Sequence, residues 1–212
     1  MKKLGTILLI IALATLTATS INAATLAKRH QVEFKFGWWQ QTTDSLSEFN
    51  NNSVISVENS GLAGGLGYGY WLQENAALTF DAGVFRTKVS DFEYAPPSSS
   101  IAWVESFLIG LKYYFLKSST TSSLRPFVKP SLGVFVGCQR LSGNLDTRRT
   151  EGVLGGRIGA GIDFLISRRF TTGLDFGYNL MTDFDKPIGG SKNYSGPEYS
   201  FSLGILFGKG AQ

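Results

Sequence analysis

The sequence contains a single cysteine, Cys138, and a single histidine, His30. One cysteine excludes an intramolecular disulfide, so nothing covalent braces the fold. Beyond the first two dozen residues there is no run of the ~20 consecutive apolar residues that a membrane-crossing helix requires. No cluster of Lys and Arg with interleaved aromatics is present either, which argues against a nucleic-acid partner. Proline is scarce, at 6 residues, whereas glycine reaches 25 and phenylalanine 16. That balance suits many strands better than helices.

At the amino terminus, Lys2 and Lys3 precede a short apolar run, and small residues follow up to Ile21-Asn22-Ala23. A basic end, a greasy middle too short to span a bilayer and a terminal alanine read as a secretory signal peptide over residues 1–23. Losing Lys2 and Lys3 lowers the formal charge from +4 to +2, so the basic character of the full sequence says little about partners. Residues 24–30 then form a short leading segment.

The stretch 101–115 sorts by parity. Odd positions read Ile101, Trp103, Glu105, Phe107, Ile109, Leu111, Tyr113 and Phe115, while the even ones include Ser106, Gly110 and Lys112. Successive side chains of a strand point to opposite faces, so this is a strand with one apolar and one mixed face, Glu105 being the one discord.

Seven further segments alternate in the same way. Residues 31–41 set Val32, Phe34, Phe36 and Trp38 against Glu33, Lys35, Gly37 and Trp39; residues 60–72 set Leu62, Leu66, Tyr68 and Tyr70 against glycines and Trp71. Residues 76–88 oppose Leu78, Phe80 and Val84 to Thr79, Asp81 and Phe85, and residues 124–140 oppose Val128, Leu132, Val134, Val136 and Cys138 to Arg125, Lys129 and Gln139. In residues 152–166, Leu154, Ile158 and Ile162 face away from Gly155, Arg157 and Asp163. Leu174, Phe176 and Tyr178 alternate with Asp175 and Gly177 in residues 169–181, and Tyr199, Phe201, Leu203 and Phe207 with Glu198 and Ser202 in residues 197–208.

Short and long connections also alternate along the chain. Eight strands joined in this way predict an all-β fold, an eight-stranded antiparallel up-and-down transmembrane β-barrel over residues 31–208 with a tail at 209–212. Size decides which face points out, because the interior of such a barrel is only just filled by side chains and the glycine-rich face is the lean one. Phe34, Phe36, Trp38, Phe80, Trp103, Phe107, Ile109, Leu111, Tyr113, Leu174, Phe176, Phe201 and Leu203 are therefore expected to face lipid. Aromatics near strand ends, such as Trp38, Tyr113, Phe170 and Tyr199, suit the lipid–water boundary. The soluble alternative, a lipocalin-like or sandwich fold, offers those rim aromatics no place.

Inside, Glu33, Lys35, Asp81, Lys112, Lys129, Arg157, Asp163, Asp175 and Glu198 are expected to pair into a nearly neutral network, since buried charges survive only when paired. The network reads as a polar plug, with a gate or narrow ion path as the alternative. Arg86 and Glu105 belong to the head-group zone as solvated rim charges, a lipopolysaccharide phosphate being the alternative partner of Arg86. Pro130 cannot donate to the ladder and predicts a bulge.

No catalytic, metal or cofactor site emerges. Gly155 to Gly161 superficially looks like a phosphate loop, but its spacing is that of a strand and no helix follows. Asp183, Asp185 and Glu198 could attract calcium but read as solvated loop acids. His30, the one side chain suited to act as a general base at neutral pH, precedes the first strand at the end away from the long loops, so no nucleophile has a base partner.

These strands, among them GLGYGYWL, GGRIGAGIDF and YSFSLGILF, resemble the small bacterial outer-membrane β-barrel family that includes OmpX-like proteins and the barrel domain of OmpA-like proteins. The resemblance implies a monomer in the outer membrane, in contact with its lipid and reached with the help of periplasmic chaperones. It also implies that Phe207 is the terminal aromatic read by the barrel-assembly machinery. Four longer loops, near 44–59, 91–100, 144–151 and 183–196, would make such a plugged barrel a structural or adhesion-type surface scaffold. A small transporter or narrow channel for a small apolar solute, opening sideways beside Pro130, is the alternative.

Overall fold

Alternating side chains over a dozen or more residues need a partner on either side for every backbone group, and closing the sheet supplies both. The computed structural model of the protein describes residues 26–42, 55–57, 60–91, 98–116, 123–141 and 147–210. The expected signal peptide, most of the first three long loops and the end of the tail lie outside the described residues.

The strands are β1 (His30–Gln40), β2 (Ile55–Val57), β3 (Ser60–Gln73), β4 (Ala76–Asp91), β5 (Ser98–Tyr114), β6 (Leu124–Leu141), β7 (Thr147–Leu165), β8 (Phe170–Met181) and β9 (Gly196–Phe207). All pairings are antiparallel, and β1 pairs with both β3 and β9, from His30↔Phe207 to Trp39↔Glu198. β4 pairs with β5, which completes the circuit of eight strands. β2 lies outside that circuit, as a three-residue addition to the far end of β4. Partners followed from Gln31 through Gly69, Thr79, Gly110, Ser131, Arg157 and Asn179 reach Gly196, which abuts Gln41 rather than Gln31. This stagger tilts the strands, as closure of a barrel demands.

The faces follow parity. Leu132, Leu62, Leu154 and Phe36 are more than half exposed on the outside, while Trp39, Val104 and Phe135 are fully buried inside. Cys138 has the outward parity of Leu132 and Val134 yet is only 2% exposed, because it sits between Trp103 and Thr150 on the flanking strands.

Three features differ from the sequence reading. Pro130 makes no bulge: the β5–β6 register is the same on both sides of it, and only the pairs at the level of Leu111 and Lys112 are missing from the ladder. The irregularity lies instead between Trp71 and Gln73 in β3. β4, β5 and β7 also run several residues beyond the alternating segments at their outer ends, over sequence such as Ser98-Ser99-Ser100 and Thr147 to Glu151 that carries no apolar period to read.

Both ends of the interior are apolar. Near the short connections, Leu26, Trp71, Ala77, Tyr114, Phe127 and Leu206 cluster, with the Arg125 guanidinium 4.7 Å from the Trp71 ring and 4.3 Å from the Tyr114 ring. Toward the long loops, Trp39, Phe85, Val104, Leu108, Phe135 and Met181 form a second cluster. Aromatic bulk thus fills the ends of the lumen, and the lean middle is left for charge.

Candidate functional site

Alternation places Glu33 and Lys35 of β1, Asp81 of β4, Lys112 of β5, Lys129 of β6, Arg157 and Asp163 of β7, Asp175 of β8 and Glu198 of β9 on the inner face. There they form one continuous chain of opposite charges. Asp163 meets Lys112 at 2.7 Å, and Lys112 meets Glu33 at 3.0 Å. Glu33 is 3.7 Å from Lys35, which pairs with Asp81. Asp81 is 3.2 Å from Lys129, which lies 4.0 Å from Asp175. Asp175 accepts from Arg157 at 2.7 Å, and Arg157 faces Glu198 at 3.4 Å.

Neutral donors complete the chain. Tyr114 donates to Asp163 at 2.5 Å, Gln31 to Glu33 at 3.0 Å, and Asn179 to Glu198 at 2.8 Å. Every carboxylate in the chain therefore has a cation within reach, and three are also held by neutral donors, which is the condition for burying ions in a medium of low polarity. Arg125, paired in register with Asp163, supplies a further cation at the end of the chain. Glycine makes the room: a Cβ on Gly177 would fall inside the Arg157 guanidinium, and one on Gly67 would lie 3.0 Å from Asp81 Oδ1.

Above the charges the lumen is closed by the β8–β9 connection, residues 182–195. Phe184, Ile188 and Tyr194 of this segment are buried in the outer apolar cluster, Tyr194 5.6 Å from Trp39 and 6.2 Å from Phe184 between ring centroids. The tip is a two-residue turn in which Gly189 and Gly190 both have positive φ, 58° and 83°, with Ile188 and Ser191 bonded across it. The strands grip the segment directly. Gln41 donates to Ser191 Oγ and to the Asn193 carbonyl, Gln139 accepts from Gly189 N–H at 3.0 Å, and Glu151 accepts from Lys186 N–H at 2.8 Å. The Tyr194 hydroxyl donates to the Ile188 carbonyl, and burial pushes the phenol above its ordinary pKa. Beside the charges there remains a cavity of about 40 Å³ lined by Lys35, Asp81, Ser106, Arg157 and Glu198 among others. That is space for a few waters only.

Of the residues expected to face lipid, Phe34, Phe36, Trp38, Phe80, Phe107, Ile109, Leu111, Tyr113, Leu174, Phe176 and Leu203 are exposed on the outside, and Trp103 and Phe201 are half-buried there. Phe207 ends β9 on the outer face and stacks on His30 at 5.3 Å. His30 is the first residue of β1 and hydrogen-bonds the Tyr68 hydroxyl at 2.6 Å. Asp183, Asp185 and Glu198 do not converge: Glu198 faces Arg157 inside, and Asp183 accepts from Asn193 at 2.7 Å. The seated segment was missed by reading 182–195 as display loop, although the Gly189-Gly190 pair between Ile188 and Ser191 and the apolar Phe184 and Tyr194 were its signal.

The outer membrane protein β-barrel domain family matches residues 11–207, nearly the whole chain. The chain belongs to this family. Its barrel is similar to the crystal structure of the outer membrane protein OprG from Pseudomonas aeruginosa, with a TM-score of 0.57 and 14% identity over 87% of this chain and 98% of that one. It is likewise similar to the crystal structure of Neisserial surface protein A, with a TM-score of 0.54 and 12% identity over 85% and 96%. No curated protein matches the sequence. At these identities the likeness is one of fold. As a member of this family the protein is placed in the bacterial outer membrane, so the exposed apolar belt faces hydrocarbon.

Proposed function

We propose that the protein is a closed outer-membrane scaffold that displays its long loops at the cell surface and conducts no solute in its resting form. One observation carries this reading: residues 182–195 are seated across a lumen already filled by the ion-pair chain from Asp163 to Glu198, beside which lies a cavity of only about 40 Å³. A water-filled path would need both layers to part. Phe207, at the end of the closing strand, is in this reading the aromatic offered to the assembly machinery, and a single copy in contact with membrane lipid suffices. The test is reconstitution in planar bilayers, where the wild-type protein gives no stable conductance steps; large, long-lived steps would reject the closed scaffold.

A second reading, passage of a small apolar solute sideways through the wall, is favoured by one observation. The ladder between β5 and β6 is interrupted at Pro130, and a hollow of about 470 Å³ lies there, lined outside by Ile109, Leu111, Leu132 and Ile158 and reaching Ser131 and Arg157. Pro130→Ala, which restores the missing N–H, would slow uptake of an apolar dye into proteoliposomes if this reading holds, and leave it unchanged otherwise.

A further inference from the structure

The end of the barrel that carries the short connections bears an unbalanced concentration of positive charge. Lys28 and Arg29 precede β1, Arg168 and Arg169 lead into β8, and Lys209 follows β9. The fold draws these three segments together. Arg29 donates to the Leu206 carbonyl at 3.4 Å, Leu206 N–H bonds the Arg169 carbonyl at 2.7 Å, and Gly208 lies against Lys28 and Arg29. Lys28, Arg168, Arg169 and Lys209 are exposed, and among the described residues none of the five forms an ion pair with a carboxylate. Burial, and after it the positive charge of nearby Arg169, pushes the Arg29 guanidinium below its ordinary pKa. Five cations held together without an anion are a site for one.

Directly above them on the outside of β8 and β9 the wall is apolar, with Phe170, Ile205 and Phe207 exposed. Higher on the same strands lies a hollow of about 520 Å³ lined by Ala160, Ile162, Leu174, Phe176, Tyr199 and Phe201. Between Phe170 and Leu174 the position of outward parity on β8 is the small Thr172, which is buried by its neighbours and donates its hydroxyl to the Ser202 carbonyl. Four residues of strand span ~13 Å, close to half the ~30 Å thickness of a hydrocarbon core. The hollow is therefore one leaflet's depth from the cations.

We propose that this column of the barrel wall is a binding site for one anionic phospholipid of the periplasmic leaflet, its phosphate held by Arg168, Arg169 and Lys209 and an acyl chain lying in the hollow beside Ala160 and Leu174. The long cationic side chains reach the phosphate from the rim while their stems cover the apolar wall. Charge alone would accept any anion; the hollow one leaflet away selects a lipid.

The test uses the full-length protein refolded in phosphatidylcholine bilayers containing a minor fraction of phosphatidylglycerol, with the lipids that stay bound after extraction counted by native mass spectrometry. The wild type retains one phosphatidylglycerol in preference to phosphatidylcholine, and millimolar glycerol phosphate fails to displace it. Arg168→Ala/Arg169→Ala/Lys209→Ala lowers that retention at least tenfold, in line with the loss of three surface cations. Ala160→Phe, which fills the hollow and leaves every cation in place, lowers it as well. Equal retention of the two lipids by the wild type, displacement by glycerol phosphate, or unchanged retention in either variant would overturn the proposal. The wild-type comparison requires no variant to fold.

Discussion

Phe184 occupies the space that a side chain at residue 137 would need. A Cβ on Gly137 would come within 2.9 Å of Phe184 Cζ and 3.0 Å of Ile188 Cγ1, so the lid can be seated only because β6 has a glycine at that level. Gly137→Leu is expected to unseat residues 182–195 while the barrel still closes. Proteinase K should then cut within the segment faster than in the wild type, with the gel shift between unboiled and boiled protein retained. Equal protection of the segment would show that it does not depend on this contact.

The outside of the wall gives a depth-dependent prediction. Phe107, 49% exposed on β5, lies toward the middle of the apolar belt, and Phe107→Arg is expected to cost ~2–4 kcal/mol in reversible folding into lipid vesicles. Its neighbour Ser106 faces the small internal cavity, and Ser106→Ala should be close to neutral.

Within the ion-pair chain Lys112 is the shared partner of Asp163 and Glu33. Lys112→Met leaves both carboxylates short of a cation in a buried setting and should cost ~3–5 kcal/mol, read as a lowered urea midpoint of the detergent-folded protein. Asp163→Asn added to Lys112→Met should recover part of that loss, since Glu33 keeps Lys35. A double variant no better than the single one would mean that the lysine stem, rather than its charge, holds this level of the lumen.

Tyr194 makes seating of the lid sensitive to alkali. Burial raises the phenol above its ordinary value, so the unseated tyrosine gives up its proton before the seated one does. The contribution to seating is complete below about pH 10 and is lost as pH rises through the higher value of the buried group. Proteolysis of residues 182–195 should accelerate above about pH 10 in the wild type, and Tyr194→Phe, which has no proton to lose, should remove that alkaline step.

Parity made the wall legible. Phe107 to Phe115, or Leu174 to Tyr178, must alternate because one side of each strand meets hydrocarbon and the other meets a crowded axis, so a sequence period of two follows from the environment alone. Where the environment is the same on both sides the signal vanishes, and the start of β7, Thr147 to Glu151, is polar at every position. The pairing of Glu33 with Lys112 rather than with another lysine could not be read, because it depends on the stagger between strands that are distant in sequence. Pro130 misled in a different way. The missing donor suggested an inserted residue, whereas the sheet tolerates the gap by dropping two pairs and keeping its register. The lid was the largest omission, since Phe184, Ile188 and Tyr194 are too sparse to form a period and become a core only when the barrel is there to receive them.

The pairing of His30 with Phe207 has a kinetic consequence. The ladder that shuts the cylinder joins β1 to β9, so the sheet keeps a raw edge until every strand from β1 to β9 is in place. The loop-closure entropy of every residue between β1 and β9 therefore falls due when that ladder forms.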